Sequence, residues 1–257
     1  MTDPLVGVQH SGGVRTLTLN SPANRNALSA RLLDELAAAL RDATSASDVR
    51  AIVLTGSGTV FCSGADLSER SAGTGVSAPN VMPEILTGMV ESPVPVIARV
   101  NGHARAGGLG LIAAADLAVA PEAASFAFTE VRVGVAPAMI LVPALRVADP
   151  RFLARMTLTG ERFTAQEAAA AGLLSAVVAD EAALDEWVAE RTAEIRKAAP
   201  GAIGATKELL RSLPAAGWAE GLAQAATRSA ELFAGDEAAE GMAAFLEKRR
   251  PRWDTTP

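Results

Sequence analysis

The 257-residue sequence predicts an α/β fold followed by a helical C-terminal region. Two observations carry this prediction. Up to about Arg151, short β-branched runs alternate with segments of helical spacing, which is the pattern of βαβ units. Beyond Arg151, apolar residues recur at helical spacing in one segment after another. With 49% hydrophobic and 20% charged residues, the chain has enough apolar side chains for a globular core.

The first predicted elements are a hairpin and a helix. LVGVQH and VRTLTLN alternate apolar and polar residues on either side of SGG, which predicts two paired strands. Ser29 is placed to cap the helix ARLLDELAAALRDAT, whose leucines recur at helical spacing and leave charged residues on the opposite face.

Three buried strands and a loop come next. The short apolar runs VRAIVLTG, VPVIARVNG and DLAVA each predict a strand that is covered on both faces. Between the first two runs, the segment from Ser68 to Pro83 is rich in serine, glycine and other polar residues. This composition predicts a loop beside a site.

The region beyond about Arg151 is predicted to be helical. Four segments have helical spacing, the first with a threonine cap: TAQEAAAAGLL, EAALDEWVAERTAEIRK, GAIGATKELLRSL and EAAEGMAAFLEKRR. The sequence shows no internal repeat and no linker. We therefore expect these helices to pack on the α/β core or on a neighbouring subunit.

The composition excludes several classes of function. The net charge of -6, without basic tracts before the end of the chain, argues against nucleic-acid binding. Apolar runs are too short for a membrane span, and MTDPLVGVQH lacks the pattern of a secretory signal, so a cytoplasmic protein is expected. The single cysteine allows no internal disulfide, and two histidines, His10 and His103, argue against a metal site.

The stretch FCSGADL, Phe61 to Leu67, raises the question of a nucleophile. Cys62 directly follows an apolar run, where a small buried cysteine is common, and no histidine is near it in sequence to lower its pKa. We therefore predict that Cys62 and Ser63 are turn residues. After Gly64 the turn can instead offer its backbone, with the N–H of Ala65 directed into a cleft.

A second backbone donor is predicted in NGHARAGGLGL, where Gly107 and Gly108 open a short helix after a strand. The N-terminus of a helix offers free N–H groups with positive dipole character. Together with the N–H of Ala65, such a donor can hold a developing enolate oxygen. Each glycine-rich turn by itself also fits an ordinary structural turn.

Six segments together resemble the crotonase, or enoyl-CoA hydratase/isomerase, family in order and spacing: NRNALS, VLTGSGTVFCSGADL, PVIARVNGHARAGGLGL, FTEVRVGVAP, LTGERFTAQEAAAAGLLSAVV and EGMAAFLEKRR. The resemblance implies a spiral core of repeated ββα units over residues 1–195 and a helical trimerisation region over residues 196–257. It also implies an acyl-CoA thioester substrate, homotrimers or hexamers, and no separate cofactor, since CoA is part of the substrate.

The resemblance assigns roles to individual residues. The backbone amides of Ala65 and Gly107 match the pair that holds the thioester carbonyl, and Glu130 matches a catalytic glutamate. Phe245 and Lys248 are implied to approach CoA, often that of an adjacent subunit. The full set implied to contact CoA is Arg25, Ala27, Leu28, Ser63, Asp66, Leu67, Gly108, Phe245 and Lys248.

Glu130 also has support from the residues themselves. It is a lone carboxylate among apolar residues at a predicted strand end, where burial would raise its pKa towards a useful value. A salt-bridged or helix-capping glutamate is the structural alternative. Where the family's two-glutamate hydratases carry their second glutamate, this chain has Gly110. A single carboxylate suits 1,3-proton transfer, and it can also pass a proton from water to C2 in a hydration.

We predict an enoyl-CoA hydratase, with fatty-acid β-oxidation as the setting that the resemblance implies. The open alternatives are a Δ3-Δ2-enoyl-CoA isomerase, a 3-methylglutaconyl-CoA-type hydratase and a catalytically weak acyl-CoA-binding protein. We expect the acyl pocket around Met82, Leu86 and Met139. Arg105 stands where the family often has a small or apolar residue, so a subunit contact is predicted for it, with a substrate carboxylate as the alternative.

Overall fold

The structure, a computed structural model, describes residues 3–71, 81–254 and 256. Within them the chain forms ten strands: β1 Val6–Ser11, β2 Val14–Leu19, β3 Ala51–Gly56, β4 Val60–Cys62, β5 Val96–Arg99, β6 His103–Arg105, β7 Leu117–Pro121, β8 Ser125–Ala127, β9 Phe163–Thr164 and β10 Ala176–Val178. The predicted hairpin is confirmed as β1 and β2, and the three predicted buried strands are confirmed as β3, β5 and β7.

The helices of the described residues are α1 Ala30–Ser45, α2 Leu67–Ser71, α3 Met82–Glu91, α4 Gly107–Ala114, α5 Ala138–Val147, α6 Pro150–Thr159, α7 Ala165–Ala170, α8 Glu181–Lys197, α9 Pro200–Ser212, α10 Trp218–Phe233 and α11 Asp236–Leu246. Short 3-10 helices cover Pro22–Asn24, Glu130–Val133 and Leu213–Ala215. The predicted cap of α1 is confirmed, because the Ser29 side chain accepts a hydrogen bond from the N–H of Leu32 at 3.3 Å.

The strands form two sheets. The larger has the order β1-β2-β3-β5-β7-β10, and all of its pairs are parallel except the β1–β2 hairpin. The smaller has the order β4-β6-β8-β9, with parallel pairs except between β8 and β9. Parallel neighbours place the carboxyl ends of β4, β6 and β8 side by side at one edge of the smaller sheet.

A ββα unit occurs three times in succession: β3-β4-α3, β5-β6-α4 and β7-β8-α5. In each unit the first strand joins the larger sheet and the second joins the smaller one. This confirms the expected α/β fold and its crotonase-like spiral. The repetition cannot be recognised from the sequence, because each second strand has only three residues, too few to show the alternating pattern of a strand.

The core lies between the sheets and the helices that cover them. Phe61, Phe126 and Phe163 are fully buried, and the rings of Phe126 and Phe163 stack with centroids 5.7 Å apart. Burial of large aromatic side chains here holds the short strands of the smaller sheet against the rest of the spiral. The smaller sheet is thereby a rigid base for the loops at its edge.

The C-terminal helices dock on this core through α8 and α9. Lys207 of α9 is buried and donates to the Asp116 carboxylate at 2.6 Å and to the Val94 carbonyl at 3.0 Å. Removing one partner would leave an uncompensated buried charge, so this pair ties α9 firmly in place. The predicted boundary between residues 195 and 196 falls within α8, and the division into two regions stays a prediction.

The structure differs from the sequence expectations at three places. The predicted loop from Ser68 to Pro83 is helical at both ends, in α2 and α3, while residues 72–80 lie outside the described residues. The region beyond Arg151 contains the strands β9 and β10, which are too short to compete with the helical pattern around them. No predicted segment covers the helix α10.

No helix in the described ranges is long and apolar enough to cross a membrane. The longest helix, α8, carries charged residues along its whole length. The described chain therefore contains no candidate for a helical membrane span.

Candidate active site

Three loops meet at the carboxyl edge of the smaller sheet. They follow β4, β6 and β8 and carry Ala65, Gly107 and Glu130, respectively. The N–H of Ala106 donates to the Ala127 carbonyl at 3.0 Å, which ties the second loop to the third. Ligands of parallel α/β sheets bind at the carboxyl ends of strands, so this edge is the candidate site.

The N–H of Ala65 is presented by the turn after β4. Gly64 has φ +91°, a conformation that favours glycine. Ala65 then forms a parallel bridge with Leu28, whose N–H donates to the Gly64 carbonyl at 2.8 Å and whose carbonyl accepts from the N–H of Asp66 at 3.4 Å. In this pattern the groups of Ala65 itself point away from Leu28. Its N–H finds no acceptor among the described residues.

The N–H of Gly107 lies close to this turn. Gly107 is the first residue of α4, so its N–H has no partner within the helix, and the structure gives it none elsewhere in the described chain. A Cβ on Gly64 would lie 3.6 Å from the Gly107 nitrogen, and a Cβ on Gly107 would lie 2.7 Å from Leu28 Cδ1. The two predicted donors are thus neighbours, and glycine at both positions permits the close approach of their loops.

Glu130 begins the 3-10 helix Glu130–Val133 directly beyond β8. Its carbonyl accepts the N–H of Val135 at 3.1 Å, which holds the backbone. Its carboxylate atom Oε2 is buried without a hydrogen-bond partner in the described part of the chain. Burial raises the pKa of Glu130, against the smaller opposing effect of its own backbone N–H. A half-buried carboxylate with a free oxygen is equipped to exchange protons with a ligand.

Gly110 lies one turn beyond Gly107 on α4. A Cβ at Gly110 would come within 2.5 Å of Ile140 Cγ2 and 3.4 Å of Met82 Cε. Ile140 and Met82 are buried, so their side chains fill the space that a longer residue at position 110 would need. No sequence signal identifies Ile140, because its role follows only from the packing of α5 against α4.

The predicted CoA-contacting residues of the first loop surround Ala65. The Arg25 carbonyl accepts the N–H of Ser63 at 3.1 Å, and Asp66 accepts from Asn24 Nδ2 at 3.2 Å. Hydrogen bonds from Ser68 and Asn24 lower the pKa of Asp66, the side chain of Ser68 having the largest effect. The structure therefore brings Arg25, Ala27, Leu28, Ser63, Asp66 and Leu67 to one place beside the turn.

Three other predicted residues are placed differently. Gly108 is buried, and a Cβ on it would lie 2.8 Å from Cys62 Cβ, so it serves the packing of α4 on β4. Phe245 is 83% exposed on α11, and Lys248 follows that helix with φ +55°. The contacts of Gly108, Phe245 and Lys248 with CoA stay predictions.

The side chains of Cys62 and Arg105 have structural roles, and Cys62 is the last residue of β4, so the prediction of a turn position is wrong for it. Cys62 is fully buried, and burial raises the pKa of its thiol to about 12, so it is a poor source of thiolate. Arg105 donates to the Ala104 carbonyl at 2.8 Å and to Ser125 Oγ at 2.9 Å, at the start of β8. A subunit contact or a substrate carboxylate for Arg105 stays a prediction.

The arrangement can hold a developing oxyanion at two amides and move a proton at a carboxylate.

The family model described as "Enoyl-CoA hydratase/isomerase" matches residues 9–256. The chain is 34% identical to the 2,3-dehydroadipyl-CoA hydratase of Escherichia coli, over 93% of this chain and 94% of that protein. It is also 34% identical to human enoyl-CoA hydratase domain-containing protein 3, over 95% of this chain and 82% of that protein. The crystal structure of an enoyl-CoA hydratase from Mycobacterium smegmatis superposes with a TM-score of 0.89 at 35% identity, covering 98% of this chain and all of that one.

Proposed function

The chain belongs to the enoyl-CoA hydratase/isomerase family, and from this premise we propose that it adds water across the C2=C3 bond of a 2-enoyl-CoA thioester. One observation carries the proposal. The buried Oε2 of Glu130 stands at the same sheet edge as the N–H groups of Ala65 and Gly107, and none of the three has a hydrogen-bond partner among the described residues. An acid/base group beside a pair of oxyanion donors is what conjugate addition to a thioester requires.

The two amides act on the thioester carbonyl. As water adds at C3, electron density moves to the carbonyl oxygen, which becomes an enolate oxygen held by the N–H groups of Ala65 and Gly107. Each such donor contributes about 3 to 4 kcal/mol to lowering a barrier of this kind. Because the donors belong to the backbone of rigid turns, they need no reorganisation when the charge develops.

Glu130 moves the proton. Its carboxylate takes one proton from the attacking water, whose oxygen forms the new bond to C3, and the protonated side chain then delivers that proton to C2. The product is a 3-hydroxyacyl-CoA, and Glu130 ends the cycle ionised as it began. Its raised pKa brings the carboxyl group closer to the operating pH, which improves both halves of this transfer.

The test is incubation of the purified protein with crotonyl-CoA and, separately, with a 3-enoyl-CoA in H2 18O, with the products identified by mass spectrometry. Hydration predicts a 3-hydroxyacyl-CoA that carries one heavy oxygen, formed from crotonyl-CoA without a metal or redox cofactor. Unchanged crotonyl-CoA, together with unchanged branched 2-enoyl-CoA of the 3-methylglutaconyl type, would contradict the proposal. Tight binding of these esters without turnover would instead indicate an acyl-CoA-binding protein.

A second candidate is a Δ3-Δ2-enoyl-CoA isomerase. The observation that favours it is the apolar packing at Gly110, where Ile140 and Met82 occupy the place of a second acid. With one carboxylate, Glu130 would remove a proton from C2 and return it at C4. The 3-enoyl-CoA arm of the same experiment separates the two functions, because isomerisation yields a 2-enoyl-CoA without heavy oxygen.

We also propose that the chain self-associates into a trimer or a dimer of trimers. Large apolar side chains of the C-terminal helices are exposed, among them Trp218 at 84%, Phe233 at 70% and Phe245 at 83%. Exposed apolar residues in such numbers are typical of interaction surfaces. Sedimentation equilibrium tests the proposal, and a monomer at micromolar concentration would contradict it.

A further inference from the structure

Asn26 is a polar residue in an unusual position. Its exposed fraction is 0%, and its backbone has φ +53°, in the left-handed region. Its side chain makes three hydrogen bonds: Oδ1 accepts the N–H of Ser21 at 2.8 Å, and Nδ2 donates to the carbonyls of Ser57 at 3.0 Å and Val60 at 2.7 Å. The side chain thus joins the loop before α1 to the turn and strand that lead to Ala65.

The loop that contains Asn26 pairs directly with the turn at Ala65. Ser63 donates to the Arg25 carbonyl at 3.1 Å, and the parallel bridge of Leu28 holds the peptide groups on both sides of Ala65. Asn26 lies between these two pairing points. The direction of the Ala65 N–H therefore depends on how this loop and β4 lie relative to each other.

Strand pairing alone does little to fix the position of the Asn26 loop relative to β4. β4 has three residues, and its register with β6 shifts between Val60 and Cys62. Asn26 Nδ2 donates to the carbonyl of Val60, at the point of this irregularity. A buried amide that makes three hydrogen bonds is costly to displace, so the Asn26 side chain can fix the position of β4 where the short strand pairing does not.

We infer that Asn26 is a positioning residue for the oxyanion hole, which it serves by fixing the direction of the Ala65 N–H. The inference rests on the proposed function, in which that N–H binds the thioester carbonyl. Asn24 supports the same loop from the solvent side, because its Oδ1 accepts the N–H of Ala27 at 3.1 Å and its Nδ2 donates to Asp66. Asn26 itself contacts no reacting atom and acts only through the direction of the Ala65 N–H.

The experiment measures the carbonyl stretch of bound butyryl-CoA labelled with 13C at C1, by difference infrared spectroscopy. This saturated ester does not react, so the readout is independent of turnover and of Glu130. Binding to the unmodified protein is expected to lower the stretching frequency, because two N–H groups polarise the carbonyl. Asn26→Ser is expected to lose roughly half of that shift, since the Gly107 donor remains, and to lower kcat roughly 10- to 100-fold with KM within about threefold.

Asn101→Ser is the matched control. The side chain of Asn101 also bridges the β3–β4 turn, accepting from the N–H of Gly56 at 3.0 Å and donating to the Gly58 carbonyl at 2.8 Å. It does not bond to the loop that pairs with Ala65. The Asn101 variant is therefore expected to keep the full shift, and an equal loss in both variants would overturn the inference, because it would report general loosening of the turn.

The remaining outcomes separate the inference from the proposed function. If the unmodified protein binds butyryl-CoA without any shift, the proposed oxyanion hole fails and the inference fails with it. If that shift is present and the folded Asn26→Ser variant keeps all of it, the inference alone is overturned. Should Asn26→Ser fail to fold, Asn26→Gly supplies the test, because glycine suits the φ of +53° at this position: a partial loss of the shift supports the inference, and full retention overturns it.

Discussion

The helices α4 and α10 differ in almost every physical respect. Seven of the eight residues of α4 are buried, whereas none of the sixteen residues of α10 is, although the structure describes them all. α4 begins at the candidate active site and is enclosed by the spiral. α10 carries Trp218 and Leu222 on an open face. Ala65, Gly107 and Glu130 of the candidate site thus lie at one sheet edge of a single chain, while the C-terminal helices present exposed apolar surfaces.

The two helices place different demands on their residues: α4 requires close packing, and α10 requires a surface that covers its apolar side chains. Around α4, glycines and small side chains permit backbones to approach, and any added atom meets a neighbour, as at Gly110. Around α10, the apolar side chains are not buried by any other part of the described chain. Changes at the sheet edge should therefore act on catalysis, and changes at the C-terminal helices should act on assembly.

Glu130→Gln at the sheet edge should reduce activity more than any other change considered. Loss of the proton-transferring carboxylate should lower kcat for crotonyl-CoA hydration about 1,000-fold, since general acid–base groups contribute about 100- to 10,000-fold. The decrease of enoyl-thioester absorbance measures the rate. Glu122→Gln, an exposed glutamate in the turn before β8, is the control and should retain full activity. Equal rates in the Glu130 variant and the control would contradict a catalytic role for Glu130 at this sheet edge.

The next largest effect is expected for Gly64→Ala. A methyl group there would lie 2.8 Å from Ala106 Cβ at φ +91°, so the turn must shift and misdirect the Ala65 N–H. We expect kcat to fall about 100-fold and the free energy of unfolding to fall by roughly 1–3 kcal/mol.

The control for this variant is Gly12→Ala in the β1–β2 turn. Its φ is also positive, at +55°, but the nearest atom is a flexible guanidinium nitrogen of Arg196 at 3.4 Å. It should lose stability and keep kcat. If both variants lost stability equally and both kept kcat, the sheet edge would not contain the oxyanion hole.

A smaller effect on activity, but a clear one on assembly, is expected from Phe245→Ser combined with Leu246→Ser. These side chains are 83% and 79% exposed. A buried interface anchor contributes about 2 kcal/mol or more, so self-association should weaken at least about 30-fold. Sedimentation velocity measures the change, with Val8→Ser on β1 as the exposed apolar control. An unchanged assembly would show that the C-terminal surface is not the contact.

The smallest expected effect is on stability against pH. The pKa of Glu130 is raised by burial, so between its unfolded and folded pKa values the folded state binds the proton that the unfolded chain has released. The free energy of unfolding therefore falls as pH rises through this window. Glu130→Gln should abolish that dependence and be more stable than the unmodified protein above the window. Urea unfolding at a series of pH values measures the difference, and parallel curves for the two proteins would contradict the raised pKa.

Much of the site could be predicted because it depends on local chain geometry. Gly64 and Gly107 mark places where the backbone must turn or open a helix, and such places are visible in sequence. Glu130 stands out as a carboxylate at a strand end among apolar residues. Asn26 and Ile140 could not be identified in this way, because a buried amide and a filled space depend on neighbours distant in the chain.

Sequence pattern alone predicts the alternation of strands and helices, the turns at the glycines and the helical spacing of the C-terminal segments. These properties follow from side-chain volume, polarity and backbone freedom over a few residues. Three features depend on long-range packing: successive strands enter two different sheets, the carboxyl ends of β4, β6 and β8 meet, and Ile140 fills the space beside Gly110. Strands of three residues have no pattern of their own, so their partners are chosen by long-range packing.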